Sequence, residues 1–298
     1  MDPGLCFSVL VTKTHRMSSM TDNHRNVDEK VVEAFGREWS RFTNLEASEK
    51  DLASIFRAYT VNFPWESLPD NAIGFDAGCG SGRWAKFFAS RVGYLHCIDA
   101  SQEALEVAKI VLRDYQNIEF HHEDLSNLSL EEESCDFGYS LGVLHHIPDV
   151  EDALESCVAR LKPGAPFLVY LYHDLSSASW VFRQIFMFVT VLRVGISNLP
   201  FRIRHFLTDL LAFMVYFPLA RTARFIEKLG LNPSFIPLFQ YRNRSLYVMR
   251  NDSLDRFGTR LEKRFSRDEV FELLISSGLE NIYISDDPPW WVAVGHKS

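Results

Sequence analysis

From Val27 to Phe42 the apolar residues Val27, Val31, Val32, Phe35, Trp39 and Phe42 recur at three- and four-residue steps. That spacing gathers them on one face of a helix. A second helix is expected over Ser48 to Tyr59, with Ser48 as its N-cap. Pro64 and Pro69 then interrupt the chain. Beyond them the period changes. Short apolar runs at Ile73–Phe75, Tyr94–Ile98, Ile118–His122, Phe137–Ser140 and Phe167–Leu171 read as strands. Arg83–Arg91, Gln102–Asp114 and Val150–Arg160 read as the helices between them. Alternation of this kind predicts a parallel sheet covered on both faces. Near the end, Ser266 caps a helix over Arg267–Ser277 and Gly278 stops it. Leu279–Ser285 and Trp290–Gly295 read as two further strands joined by DDPP.

The stretch from 175 to 264 follows neither period. Trp180–Ile196 and Phe206–Leu219 are apolar almost all round. The uncharged run between Arg183 and Arg193 is nine residues, and that between Asp209 and Arg221 is eleven and contains Pro218. A membrane span needs about 20, so neither segment is read as one. From Leu175 to Arg250 ten Lys and Arg face two acids, a net of +8 that leaves −16 for the rest of the chain. Three explanations stand open. The insert is a lid over an acceptor pocket, its arginines pairing an anionic acceptor. Or residues 180–220 lie as a helix pair on an anionic membrane surface. Or the insert packs on the core or on a second copy of the chain, as a homodimer contact.

The chain thus divides into an arm at 1–24, a helical cover at 25–70, a core at 71–174, the insert at 175–264 and a returning part of the core at 265–298. The arm reads as disordered or mis-started, since Met17 and Met20 offer later starts. Leu5–Val11 lacks the basic flank and cleavage site of a signal peptide.

The most informative stretch is Ala72–Trp84, AIGFDAGCGSGRW. An apolar strand leads to Asp76, then to glycines at 78, 80 and 82, then to a helix expected from Arg83. Glycine lets the backbone turn tightly and lets a ligand approach the main chain. A helix N-terminus favours an anion. A tight turn with no ligand would account for the same glycines. A dinucleotide fingerprint would place its third glycine at Arg83, so the spacing is not G-x-G-x-x-G. The pattern D-x-G-x-G-x-G instead resembles the first motif of class I methyltransferases that use S-adenosylmethionine.

Later segments resemble the same family in the same order. They are CIDAS (97–101), IEFHHEDL (118–125), FGYSLGVLHHIPD (137–149) and RLKPGAPFLVYLYH (160–173). The resemblance covers 71–173 and again 265–297. It is nearest to the methyltransferase type 11-like group, which includes quinone-biosynthesis, small-molecule and glycan methyltransferases. Ala165 departs from it, where a second glycine is usual. The resemblance implies an α/β, Rossmann-like seven-stranded sheet, six strands parallel and the seventh antiparallel, with helices on both faces and a helical insert. It implies that Asp76, Gly78, Cys79, Gly80 and Gly82 form the loop around the methionine part of S-adenosylmethionine. Arg83 would pair the methionine carboxylate. Asp99, with Ala100 beside it, would accept from the ribose hydroxyls. Asp124 would sit at the adenine amino group with Leu125 beside it, and Leu141 would lie against the cofactor.

Composition narrows the setting. Of 298 residues, 47% are apolar and 23% charged, ordinary for a soluble globular protein. A net charge of −8 argues against a nucleic-acid partner. Five cysteines with no C-x-x-C fit a reduced, cytoplasmic chain, membrane-peripheral if the second explanation of the insert holds. The histidine pairs 121–122 and 145–146 are sequence neighbours whose side chains diverge, there is no H-E-x-x-H, and no metal site is expected.

Methyl transfer from a sulfonium is an in-line displacement in which the protein positions the acceptor. A base is needed only where the acceptor must lose a proton. His145, His146, Tyr172 and His173 fall at carboxyl ends of strands, and His146 and His173 are the catalytic candidates. Each also suits a packing or pocket-lining role. Asp255, Arg256 and Tyr247, on the stretch returning from the insert, either reach the acceptor or belong to an exposed connector. The expected activity is methyl transfer to a small-molecule or glycan-type acceptor, O- or N-linked. The alternatives are a peripheral membrane enzyme acting on a lipid or quinone, and a cofactor-binding subunit without catalysis.

Overall fold

The structure is a computed structural model that describes residues 26–41, 49–174, 180–286 and 291–298. The readings of residues 1–24, Phe42, Ser48, Asp287–Pro289 and Trp290 lie outside these residues.

One seven-stranded sheet carries the molecule: β1 Ile73–Ala77, β2 Tyr94–Asp99, β3 Ile118–His122, β4 Phe137–Leu141, β5 Pro166–Tyr170, β6 Leu279–Ile284 and β7 Val292–Lys297. Their spatial order is β3-β2-β1-β4-β5-β7-β6. β1, β2, β3, β4 and β5 pair in parallel, and β7 runs antiparallel to both β5 and β6. Six strands therefore share one direction, as expected. The order reverses between β1 and β4, which opens a crevice at the carboxyl ends of those strands.

Burial on both faces explains the near-continuous apolar strands. Phe75, Ala77 and Ile98 join one core with Leu154 and Leu274. Leu95, Cys97, Phe137 and Tyr139 join the other with Phe56 and Phe88. The helices α2 Glu49–Thr60, α3 Ala85–Ala89, α4 Gln102–Val111 and α5 Val150–Ala159 fill the expected places. Helix α3 is shorter than predicted: positive φ at Gly82 (75°) holds residues 82–84 in a bend and turn, and the helix begins only at Ala85. A five-residue helix has little dipole to offer an anion.

The first helix, α1 Glu29–Arg41, lies against the start of α4. Gly36 permits the approach, since a Cβ there would meet Ser101 Oγ at 2.6 Å. Ser101 is itself the N-cap of α4 and accepts from the Ala104 N–H.

The insert is helical: α6 Trp180–Ser197, α7 Phe201–Leu211, α8 Phe217–Lys228 and α9 Leu246–Gly258. The sequence shows an apolar segment at 206–219 that contains Pro218, too short in its uncharged run for a span. In the structure α7 passes through a π turn, Ala212–Tyr216, straight into α8, giving one helix of 28 residues. Proline removes one N–H and crowds the preceding turn. A wider turn just before Pro218 accommodates both effects without ending the helix. By length and composition alone this helix is sufficient to cross a membrane.

Most of the insert's arginines are engaged within the protein. Arg193, Arg204 and Arg221 donate to backbone carbonyls of Thr259, Gly258 and Arg242. Arg250 and Arg41 both bind Asp209, which joins α9 and α1 to α7. The chain then returns through α10 Arg267–Ser276, opened by a Ser266–Glu269 capping box.

Candidate active site

The loop after β1 is shaped by its own hydrogen bonds. Gly78 N and Cys79 N both donate to Ile98 O at 2.9 Å, Gly82 N donates to Cys79 O, and Gly80 N donates to Asp99 Oδ2 at 2.8 Å. Glycines 78, 80 and 82 all have positive φ. These amides organise the loop and are not spare donors. The nearby positive charge is Arg83, whose guanidinium lies 4.7 Å from the Trp39 ring and 4.8 Å from the Trp84 ring.

Asp99 ends β2 and is held from both sides. Oδ2 takes the Gly80 N–H, and Oδ1 takes the Ser101 N–H at 2.8 Å. Each oxygen keeps a further lone pair. Burial raises its carboxyl above the usual range, and the two amides offset part of that. Asp76 is fully enclosed, and burial pushes its carboxyl up to about 8, with Tyr139 acting against the rise. Its Oδ2 completes no hydrogen bond.

A cleft of about 830 Å³, counting space open at its mouth, runs along this loop. Gly78, Cys79, Gly80, Arg83, Asp99, Ala100, Leu125, Leu141 and His146 line it. The opposite wall is α1, through Val31, Phe35 and Trp39. The Asp99 carboxylate, apolar walls and the Arg83 guanidinium together suit the hydroxyls, rings and carboxylate of S-adenosylmethionine. Bare backbone at Gly80 belongs to that fit, since a Cβ there would stand 3.0 Å from Trp39 Nε1.

Three residues assigned to the cofactor by resemblance do not line this cleft. Asp76 is buried at the end of β1, and Gly82 closes the turn through its N–H to Cys79 O. Asp124 turns to its own backbone and accepts from Ser126 N and Asn127 Nδ2. Asx residues favour such local bonds wherever a turn presents an N–H two residues on.

A second cleft, about 1770 Å³ on the same measure, adjoins the first. Both share Phe35, Trp39, Arg83, Trp84, Leu141 and Gly142. Its walls are aromatic: Tyr59 lies 4.9 Å from Tyr170, and Tyr170 lies 5.7 Å from Tyr172, between ring centroids. The roof comes from α9, through Asn251, Asp252, Asp255 and Arg256. The returning stretch is thus helical as far as Gly258. Asp255 and Arg256 reach the cleft, and Tyr247 does not line it. Asn251 accepts from Arg83 Nη1 and donates to Glu38 Oε1 at 2.7 Å. Burial first, and then Asp255, hold Glu38 well above the carboxylate range.

His146 and Asp255 meet where the clefts join. His146 Nδ1 is 2.7 Å from Leu261 O. A carbonyl only accepts, so Nδ1 carries a proton, and in the neutral ring Nε2 is the nitrogen with the lone pair. That Nε2 has no hydrogen bond and lies 3.7 Å from Asp255 Oδ1. Tyr172 donates its hydroxyl to Asp255 Oδ2. Burial raises the Asp255 carboxyl, with His146 and the Tyr172 hydrogen bond opposing. Burial, and then Asp255, raise the Tyr172 phenol well above its ordinary value.

The other two histidines differ. His145 stacks on Tyr172 at 3.8 Å, and burial holds it far below the usual imidazole range, so it is neutral packing. His173 lines the second cleft, and burial, then Arg264 and Arg256, bring it down to about 4. An imidazole of that basicity is a poor proton acceptor near neutral pH. Sequence reading named Asp255 only as one member of the returning stretch. Its pairing with His146 spans more than a hundred residues, and no local spacing encodes it.

Residues 75–169 match the family model of a methyltransferase domain. The chain is 24% identical over 174 residues to a ubiquinone biosynthesis O-methyltransferase of Coxiella burnetii, covering 55% of this chain and 74% of that protein. It is 27% identical over 149 residues to a protein of the same name from Yersinia pestis, covering 48% and 61%. Among solved structures, a SAM-dependent methyltransferase from Methanosarcina mazei is 17% identical with a TM-score of 0.48, covering 78% of this chain and 95% of that one.

Proposed function

We propose, from the premise that this chain is a class I S-adenosylmethionine-dependent methyltransferase, that it methylates a hydroxyl oxygen on a small, partly aromatic acceptor. The observation that carries this reading is the unpartnered His146 Nε2, 3.7 Å from Asp255 Oδ1 and at the seam of the two clefts. The cofactor, when bound, supplies a methyl group already activated on a sulfonium. Leu141, Gly142 and Arg83 line the passage between the clefts, where cofactor and acceptor would meet. The tyrosine and tryptophan rings of the second cleft present flat apolar faces to an acceptor ring. His146 Nε2 takes the hydroxyl proton, and Asp255 stabilises the imidazolium that results. Tyr172 holds Asp255 in place. The wall of α1 keeps water from the cofactor cleft. The curated relatives are named O-methyltransferases of ubiquinone biosynthesis, which suits an aromatic hydroxyl. An acceptor screen over phenols, catechols, amines and glycosides, read out as S-adenosylhomocysteine, tests the reading. Turnover on hydroxylated aromatics is expected. Turnover on amines alone would overturn the oxygen assignment, and binding without turnover on any of them would favour the non-catalytic alternative.

A second reading has its own observation. Ile203, Phe206, Leu210, Phe213, Met214 and Phe217 recur at helical spacing along α7 and α8, all exposed, with Phe206 at 66% and Met214 at 69%. Such a stripe, in an insert rich in arginine, suits the surface of an anionic membrane and an acceptor drawn from it. Flotation with anionic vesicles tests this. Binding lost in Phe206→Glu/Met214→Glu is expected, and no binding by the wild type would remove it.

A further inference from the structure

Away from both clefts, β2 and β3 carry a cluster that neither the fold nor the methyl transfer requires. Register pairs His96 with Glu119, and Ile98 with His121. Side chains alternate along a strand, so His96, Glu119 and His121 project from one face. Their polar atoms converge. His96 Nδ1 is 2.9 Å from His121 Nε2, His96 Nδ1 is 3.4 Å from Glu119 Oε2, and His121 Nε2 is 3.6 Å from the same oxygen. The opposite face of these strands is closed by α4, through Leu105 and Ala108 against Leu95 and Cys97. The cluster face is more open, with the Glu119 side chain 53% exposed and the imidazoles at 16% and 14%.

We propose that His96, His121 and Glu119 form a binding site for a divalent transition-metal cation of the zinc class. Zinc bonds nitrogen and oxygen at about 2.0–2.2 Å, which sets the edges of its tetrahedron at about 3.3–3.5 Å. The three observed separations bracket that edge. Two imidazoles and one carboxylate are a donor set suited to such ions, and the fourth position faces solvent. Without metal, the two ring nitrogens share one proton. Metal uptake asks that this proton leave the shared edge for the far nitrogen of its ring, which on His121 is Nδ1. That nitrogen faces Glu123 Oε1 at 3.8 Å. Glu123 is in turn held by Ser129 N on its other oxygen at 3.0 Å. A carboxylate behind a metal-binding imidazole fixes its tautomer and orientation. Sequence reading paired His121 with His122, its neighbour in the chain. Across the two strands its imidazole instead meets that of His96, twenty-five residues away.

The ion would fasten the edge strand β3 to β2, next to Leu125, which lines the cofactor cleft. The test is calorimetric titration of the untagged full chain with ZnCl2, together with the visible spectrum of the Co2+ form and the melting temperature with and without metal. One ion per chain, a tetrahedral Co2+ spectrum and a rise in melting temperature are expected. His96→Ala and His121→Ala should each weaken binding at least tenfold. Glu119→Gln, a change on an exposed side chain, should do so with circular dichroism and cofactor binding unaltered. Absence of uptake by the wild type, or affinity equal in all four proteins, would overturn the site and leave a hydrogen bond between two imidazoles.

Discussion

His146 Nε2 and Asp255 Oδ1 stand 3.7 Å apart, one on the loop after β4 and the other on a helix of the insert. The insert therefore supplies part of the chemistry proposed for the core. His146→Gln should lower kcat by about 10²–10⁴-fold, the usual worth of a general base. Its affinity for S-adenosylmethionine should stay near the wild-type value. Asp255→Asn should lower kcat by a smaller factor, and His173→Gln should leave it within a few fold. Steady-state kinetics paired with calorimetry separates these outcomes. A loss confined to KM would assign His146 to binding.

Gly80→Ala tests the loop. Its φ of +54° is unfavourable for alanine, and the new Cβ would stand 3.0 Å from Trp39 Nε1. Left-handed backbone costs about 1–2 kcal/mol for a residue with a Cβ, so cofactor affinity should fall by about tenfold or more. In a Trp39→Leu background the loss should shrink, because the ring that is met has gone. Equal losses in both backgrounds would mean that only the backbone strain matters.

Gly36→Val tests the cover. A Cβ at position 36 would meet Ser101 Oγ at 2.6 Å, so α1 must lift from the start of α4. Overpacking of this kind costs about 1–3 kcal/mol. Melting temperature should fall, and cofactor affinity should fall with it, because Phe35 and Trp39 move too. Unchanged affinity would detach α1 from the cofactor cleft.

Much of this was legible in the sequence because it is local. The strands from 73 to 170 announced themselves by apolar runs, the loop by its glycines, and the last helix by Ser266 and Gly278. Features that depend on distant partners, or on backbone turns that residue spacing does not display, were not. Nothing around Pro218 announces the π turn that carries one helix through it. The helix placed at Arg83 begins at Ala85 because Gly82 holds a positive φ. Asp124 reads as a ligand for adenine, yet its carboxylate is turned to Ser126 and Asn127. Asp255 gains its meaning only when α9 folds back over Tyr172.

Stability should carry the signature of Asp76. Its carboxyl is raised from 3.8 to about 8 by burial, so between those values the folded state holds a proton that the unfolded chain releases. Its contribution is full below about pH 4 and is lost as pH rises through 8. Asp76→Asn removes that dependence. The variant should gain on the wild type progressively from pH 4 to pH 8, as read from urea midpoints, and the difference should stop changing below pH 4. A constant difference across the range would show that Asp76 is ionised in the folded state.

The central claim is a nucleoside sulfonium held between the Gly78–Arg83 loop and Asp99. Calorimetric titration of the full chain with S-adenosylmethionine, wild type beside Asp99→Ala, tests it most directly. Asp99 anchors the Gly80 and Ser101 amides as well as facing the cleft, and each hydrogen bond to a charged group is worth about 1.5–3 kcal/mol. One site per chain is predicted for the wild type, weakened in Asp99→Ala by at least about tenfold. No heat with the wild type, or equal binding by the two proteins, would contradict the account.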